Sequence, residues 1–236
     1  MITVSKPIEE VKIISPLPNN ILVTGEAMAG KTTFVGDFPL PYFLSFDGNA
    51  VKEGRQGEDL HETQDWIDKK YTHKDIVDAI KDIERAGYKT IVIDTVEDMI
   101  DAFTAEITGG GPIEDMSGNK FSGWGNFNKN FKEVISAVQK SDLIGVFITR
   151  TTVEDGENVS DARKKSMSWL NGHLDGIIHI KLEDHTAQWT KHRGYWKPED
   201  LPDYLARVID PDREAQERKA NAMARKAELL KNKGDK

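Results

Sequence analysis

Short apolar runs alternate with longer segments of helical periodicity along most of the chain. A short continuous run rich in β-branched residues is typical of a strand buried on both faces of a parallel sheet. This alternation predicts an α/β fold, with a mainly parallel, twisted sheet and helices on both of its faces. The predicted strands span residues 21–24, 42–46, 90–93, 143–149, 176–182 and 188–196.

Three segments carry apolar residues at positions i, i+3, i+4 and i+7, a spacing that predicts amphipathic helices. These helices are predicted over residues 76–83, 96–107 and 127–138. Two long connections, 108–126 and 150–170, are predicted as loops. Loops of this length in a compact domain are usually functional or mobile.

A charged segment follows Asp210. Asp210 and Pro211 are typical of a helix N-terminus, so the residues after them are predicted as one solvated helix. The segment carries eight basic and five acidic residues, whereas the whole chain has a net charge of −8. A solvent-exposed helix is the favoured interpretation, and a contact with a second protomer or with a DNA backbone is the alternative. The predicted organisation is a lead-in segment 1–19, a core domain 20–210 and a C-terminal helix 211–236.

The composition narrows the classes of function. A length of 236 residues favours one substantial domain. Because acidic residues outnumber basic ones, 40 to 32, any nucleic-acid contact is expected to be a local patch. The absence of cysteine excludes disulfide scaffolds, thiolate zinc sites and cysteine nucleophiles. With no membrane-length apolar run and no signal peptide, we expect a cytoplasmic protein without a membrane partner.

One motif carries recognisable chemistry. Residues 25–32, GEAMAGKT, match the pattern G-x-x-x-x-G-K-[ST] between a predicted strand and a predicted helix. In such a phosphate-binding loop, or P-loop, backbone N–H groups surround the phosphates, Lys31 reaches the β- and γ-phosphates, and the Thr32 hydroxyl binds Mg²⁺. A glycine-rich turn with a chance lysine is the alternative. The predicted ATP-binding residues are Gly25, Glu26, Ala27, Met28, Ala29, Gly30, Lys31, Thr32 and Thr33.

Hydrolysis at a P-loop also needs acidic residues. Asp94 ends the predicted strand TIVID and, with Thr32, is predicted to hold the magnesium ion. Asp47 and Glu97 compete for the role of orienting or deprotonating the attacking water. Each could instead cap a helix or a turn, and for Glu97 a cap is the favoured alternative. The predicted catalytic residues are Lys31, Asp47, Asp94 and Glu97.

Thr149 and Arg150 end the fourth predicted strand. A polar pair at this position can sense the γ-phosphate, and it is equally typical of any exposed strand end.

In this order the motifs resemble the RecA-type core ATPases, most closely the small phage-encoded versions grouped with single-strand-annealing recombinases. The resemblance covers residues 20–196 and implies a RecA-like P-loop NTPase fold. In FLSFDGNA it aligns Asp47 with the family's catalytic acid, which is often Glu, and in FITR it places Arg150 where the family's sensor is usually an amide. VIDTVEDM resembles the family's magnesium-binding strand.

The resemblance further implies a homo-oligomer, either a ring or a filament, whose sites are completed by basic residues of a neighbouring protomer. Lys191 and Arg193 are candidates for that pair, with a solvated strand face as the alternative. The two long loops fall where the family binds single-stranded DNA. Acidic residues in the same loops would repel phosphates, and Trp124 or Trp169 could instead be a docking anchor. The candidate DNA-binding residues are Lys120, Phe121, Trp124, Arg163, Lys164 and Lys165.

The sequence therefore predicts an ATPase that uses ATP and Mg²⁺ and acts on single-stranded DNA in phage-type recombination or annealing. If the chain is phage-encoded, the compartment is the cytoplasm of a bacterial host, and a single-strand-binding or replication protein is a candidate partner. One alternative is a nucleotide-binding loader or switch that engages a replication protein. The other is a P-loop kinase, which is disfavoured because no arginine lies between Asp94 and Leu143 to form a lid.

Overall fold

The computed structural model describes residues 17–111, 113, 120–154, 157–160, 164–194, 196 and 198–211. The predicted C-terminal helix beyond Pro211, most of the lead-in segment and Arg163 lie outside the described residues. In the described part of the chain, no helix is both long and apolar enough to cross a lipid bilayer.

In the described residues, eight strands form the sheet. In chain order they are β1 (Asn20–Gly25), β2 (Pro41–Ser45), β3 (Gly57–Asp59), β4 (Thr90–Asp94), β5 (Ile144–Glu154), β6 (Glu157–Ser160), β7 (Gly176–Ile180) and β8 (Ala187–His192). The spatial order is β3-β2-β4-β5-β1-β7-β8, and β6 pairs with the end of β5. The first six strands in this spatial order, from β3 to β7, run parallel to one another. Strand β8 is antiparallel to β7, and β6 is antiparallel to β5. The six predicted strands are confirmed, and β3 and β6 are additional.

The helices lie between these strands. They are α1 (Lys31–Val35), α2 (Asn49–Lys52), α3 (Thr63–Ile67), α4 (His73–Arg85), α5 (Val96–Thr108), α6 (Lys120–Lys140), α7 (Lys164–Asn171) and α8 (Asp203–Ala206), with a 3₁₀ turn at Pro198–Asp200. Thr72 forms a capping box with Asp75 at the start of α4.

Two apolar clusters show that the sheet is covered on both faces. Successive residues of β1 enter different clusters: Leu22 packs with α4, α5 and α6, whereas Ile21 and Val23 pack with α1 and α8. Side chains alternate across a strand, so a continuous apolar run fills both layers. The predicted RecA-like α/β fold is confirmed.

Both predicted long loops contain regular structure. Helix α6 begins at Lys120, so the second part of the 108–126 loop is helical. Trp124, Phe127 and Phe131 share one face of α6 and pack in series, with ring centroids 6.0 Å apart at each step. The glycines around Trp124 suggested a loop, but burial of this aromatic face outweighs their weak helix propensity. In the 150–170 connection, β5 extends to Glu154, β6 pairs back onto it, and α7 begins at Lys164.

Candidate functional site

The P-loop connects the carboxyl end of β1 to α1, in the centre of the sheet. Gly25 has a φ of +155°, and a Cβ there would lie 2.6 Å from the Ile180 carbonyl oxygen, so a side chain does not fit. Gly30 precedes α1 with a left-handed φ of 87°. Glycine adopts that conformation without steric cost. The two motif glycines therefore let the loop turn tightly and lie against β7.

Lys31 is buried inside this loop. Its Nζ donates to the carbonyl oxygens of Gly25 and Glu26 at 2.8 and 2.7 Å, and the residue is only 8% exposed. A buried ammonium group is costly unless it is paired with acceptors or with negative charge. The loop thus holds one positive charge at the place where the motif binds phosphate oxygens.

Thr32 and Asp94 form the second part of the site. The Thr32 hydroxyl donates to Asp94 Oδ2 at 3.0 Å, and Asp94 ends β4 almost fully buried. Burial, and after it the nearby charge of Asp47, raises the pKa of Asp94 to about 7. The residues fit Mg²⁺, because a hydroxyl and a carboxylate are the hard oxygen ligands that this ion prefers and a divalent cation would neutralise the buried charge.

Mg²⁺ usually takes one or two protein oxygen ligands together with substrate phosphates. The described residues contain no group of three or more His, Cys, Asp or Glu side chains that could hold a metal ion by themselves. The Thr32–Asp94 pair is therefore suited to a magnesium ion that arrives with a nucleotide.

Asp47 closes a turn at the start of α2. Its carboxylate accepts hydrogen bonds from the Asn49 backbone N–H at 2.9 Å, the Asn49 side chain at 2.8 Å and the Ser45 hydroxyl at 3.3 Å. The capping role considered in the sequence is thus present. Asp47 is nevertheless close enough to Asp94 to raise its pKa, so its carboxylate also belongs to the surroundings of the metal ligand.

Glu97 ties α5 to the middle of β5, because the strand continues to Glu154 and does not end at Thr149 and Arg150 as predicted from the sequence. Its Oε2 accepts from the Thr149 hydroxyl at 2.9 Å, and its Oε1 accepts from the backbone N–H and Nε of Arg150 at 2.6 and 2.9 Å. The Arg150 guanidinium also donates to Asp98 at 2.7 Å. These hydrogen bonds occupy both oxygens of the Glu97 carboxylate. This geometry favours a structural role for Glu97, and it holds Thr149 and Arg150 against α5.

Replacement of Arg150 by alanine is expected to lower the free energy of unfolding by about 2 kcal/mol, because it removes a charged donor from the buried Glu97 carboxylate. Urea unfolding at pH 7 measures the change. The matched control is Arg85→Ala, since Arg85 forms an exposed ion pair with Asp82 and should contribute less than about 0.5 kcal/mol. Equal effects of the two substitutions would contradict the structural role of Arg150.

Lys191 and Arg193 lie far from the P-loop of their own chain. His192, between them, pairs with Gly176, which pairs with Ile21 at the amino end of β1, whereas the P-loop follows the carboxyl end. Both residues are exposed, and Arg193 donates a hydrogen bond to the Gly172 carbonyl. Their action on a neighbouring protomer stays a prediction.

The candidate DNA-binding residues that the structure describes are divided between two helices. Trp124 is half-buried against Phe127 in α6, which fits a docking anchor better than a base-stacking loop residue. Lys120 and Phe121 belong to the first turn of the same helix. Lys164 and Lys165 are exposed at the start of α7.

The turn between β7 and β8 packs on the P-loop, a contact that the sequence did not predict. His185 has a left-handed φ of 56°, and its Nδ1 donates to the Ala29 carbonyl oxygen at 3.0 Å. The only hint in the sequence is the strand–turn–strand pattern around His185. No local pattern shows that this turn reaches residues 156 positions earlier in the chain.

A family model described as an AAA domain matches residues 17–213. No curated protein matches the sequence. Similar solved structures include a KaiC-like protein from the hyperthermophilic archaeon Pyrococcus horikoshii OT3, with 12% sequence identity and a TM-score of 0.43 over 74% of this chain and 79% of that chain. Because the family model spans most of the chain and its P-loop, the protein belongs to the AAA domain family and has the fold of its P-loop ATPases.

Proposed function

We propose that this protein is a magnesium-dependent ATPase whose turnover is stimulated by single-stranded DNA during recombination or strand annealing. The observation that carries the nucleotide part is the convergence of Lys31, Thr32 and Asp94, from two strand ends, on one loop. Lys31 binds the phosphates, and Thr32 and Asp94 hold Mg²⁺, which supplies charge neutralisation at the transferring phosphoryl group.

Asp47 is the better candidate of the two acids for orienting the attacking water. Glu97 is surrounded by Thr149 and Arg150, whereas the hydrogen bonds of Asp47 come from its own turn and its charge reaches Asp94. Rotation of a side chain in a surface turn costs little compared with breaking a buried carboxylate–guanidinium pair. In this proposal Asp47 turns toward the water while Glu97 keeps β5 in place.

The path of β5 supports the DNA part of the proposal. Thr149 pairs with Thr24 beside the P-loop, and the same strand continues through Thr151 into the hairpin with β6. Two exposed lysines, Lys164 and Lys165, follow that hairpin. Strand β5 therefore runs from beside the phosphate site into the hairpin, and an exposed basic pair follows the hairpin along the chain, although the body of the protein is acidic.

The test is ATP hydrolysis with and without single-stranded DNA, at about 50 and 200 mM salt. We expect stimulation at low salt and much less at high salt, because phosphate contacts release counterions. The double substitution Lys164→Ala/Lys165→Ala should lose the stimulation and keep the basal rate. Lys74→Ala/Lys81→Ala, on the exposed side of α4, is the matched control. A rate of ATP hydrolysis that does not change when single-stranded DNA is added would contradict this part of the proposal.

A nucleotide-dependent switch or loader is the second candidate function. It is favoured by one observation: both acids considered as bases accept hydrogen bonds from their own surroundings. This candidate predicts ATP binding without appreciable turnover, and a partner such as a replication protein that binds only one nucleotide state. A ring or filament, completed by Lys191 and Arg193, belongs to the first proposal and predicts that turnover rises with protein concentration.

A further inference from the structure

A cavity of about 640 Å³ opens directly beside the P-loop. Its lining includes Met28 from the loop, Phe34 and Asp37 near α1, His185 from the β7–β8 turn, and Arg207 and Ile209 from the segment after α8. We infer that this cavity binds the adenine base of the nucleotide. The inference rests on the proposed binding of the phosphates by the P-loop and adds the residues that recognise the base.

Arg207 forms one wall with a fixed planar group. One guanidinium nitrogen donates to Asp37 Oδ2 at 2.6 Å and the other to the Phe34 carbonyl oxygen at 3.1 Å, while the group lies 4.8 Å from the centre of the Phe34 ring. Its side chain is still 42% exposed. A planar cation that is already held in place loses little freedom when it stacks on an aromatic base.

His185 and Asp37 supply acceptors. The Ala29 carbonyl oxygen cannot donate, so Nδ1 of His185 carries the proton in that hydrogen bond, and Nε2 is the acceptor nitrogen of the corresponding tautomer. Asp37 adds carboxylate oxygens on the same cavity. These acceptors suit the exocyclic amine of adenine and disfavour a purine with a carbonyl oxygen at the same position.

Two apolar side chains complete the cavity. Met28 is 91% exposed and Ile209 is 37% exposed, which is unusual for side chains of this size. The position of Ile209 is set by backbone hydrogen bonds to both Ala187 and Trp189 of β8. A base in this cavity would cover apolar surface that otherwise faces water.

Isothermal titration with three ligands tests the inference: ATP, inosine triphosphate and inorganic tripolyphosphate, each with Mg²⁺. The wild-type protein is expected to bind ATP about tenfold more tightly than inosine triphosphate, because only adenine carries the amine. Arg207→Ala should weaken ATP binding about tenfold and leave tripolyphosphate binding within about twofold. Arg207→Lys keeps the ion pair but not the plane, so it should resemble Arg207→Ala. Arg85→Ala is the control, because its pair with Asp82 lies on α4, away from the P-loop.

The inference is overturned if Arg207→Ala leaves the affinity for ATP unchanged, or if it weakens the binding of ATP and of tripolyphosphate equally. If the wild-type protein binds neither ATP nor tripolyphosphate, the proposed function itself fails. A measurement without substitutions guards against misfolded variants: photolabelling with 8-azido-ATP should mark peptides that contain Phe34, His185 or Ile209. Labelling confined to other peptides contradicts the inference.

Discussion

Lys31→Ala is expected to reduce ATP turnover about a thousandfold and to abolish measurable binding of both ATP and tripolyphosphate. The ammonium group is the positive charge that the P-loop holds with the Gly25 and Glu26 carbonyls. Its loss leaves a loop of neutral dipoles facing a triphosphate. Titration calorimetry measures binding, and release of inorganic phosphate measures turnover.

The control for Lys31→Ala is Lys81→Ala, which removes an exposed lysine paired with Asp78 on α4. It should leave binding and turnover unchanged. Circular dichroism at 222 nm shows whether the Lys31 variant is folded. Turnover within tenfold of the wild type in a folded Lys31→Ala protein would refute the assignment of the loop.

Asp94→Asn is expected to separate stability from function. The substitution removes a magnesium ligand, so magnesium-dependent turnover should fall at least a hundredfold. In magnesium-free buffer at pH 8, however, the variant should be more stable than the wild type, by up to about 4 kcal/mol. The reason is that the ionised Asp94 carboxylate is buried near Asp47, and the stabilisation it receives from the Thr32 hydroxyl and Lys31 does not offset this cost.

The sign of this effect depends on pH. The pKa of Asp94 is about 7 in the folded protein, above its ordinary value of 3.8, so the folded state holds its proton more tightly than the unfolded state does. Stability therefore falls as the pH rises from about 4 to 7, and the Asn variant lacks this loss. The advantage of the variant should vanish near pH 4 and be complete above pH 7.

Urea unfolding at several pH values in EDTA measures this profile. The control is Asp82→Asn, since Asp82 is an exposed acid paired with Arg85. This substitution should change the free energy of unfolding by less than about 0.5 kcal/mol at every pH. Added Mg²⁺ should raise the free energy of unfolding of the wild type more than that of the variant. An Asp94→Asn protein that is less stable than the wild type at pH 8 without magnesium would contradict the unfavourable burial of this carboxylate.

Much of the phosphate site could be predicted from the sequence because it is local. The P-loop residues 25–32 are contiguous, so the turn, the lysine and the hydroxyl follow from eight neighbouring positions. The role of Asp94 could also be predicted from the sequence, for a related reason. The carboxyl ends of parallel strands meet at one edge of a sheet, so an acid that ends a buried strand lies near the loop that ends another.

The role of Glu97 could not be predicted in the same way. The sequence shows an acid in the first turn of a helix, which fits a cap as well as a base. Its actual partners, Thr149 and Arg150, lie 52 and 53 residues away, and their approach depends on how α5 packs against β5. Packing of this kind is set by the whole core rather than by neighbours in the chain.

What the sequence alone determined is the α/β fold, the phosphate-binding loop and the acid that faces it, because periodicity and contiguous motifs are local properties. The tertiary structure decided which charges are buried, which acid is already paired, and which distant segments enclose the site. The glycine-rich stretch before Phe127 became a helix because an aromatic face could be buried there. Likewise, His185 and Arg207 join the P-loop cavity only because β7, β8 and the segment after α8 fold back beside β1.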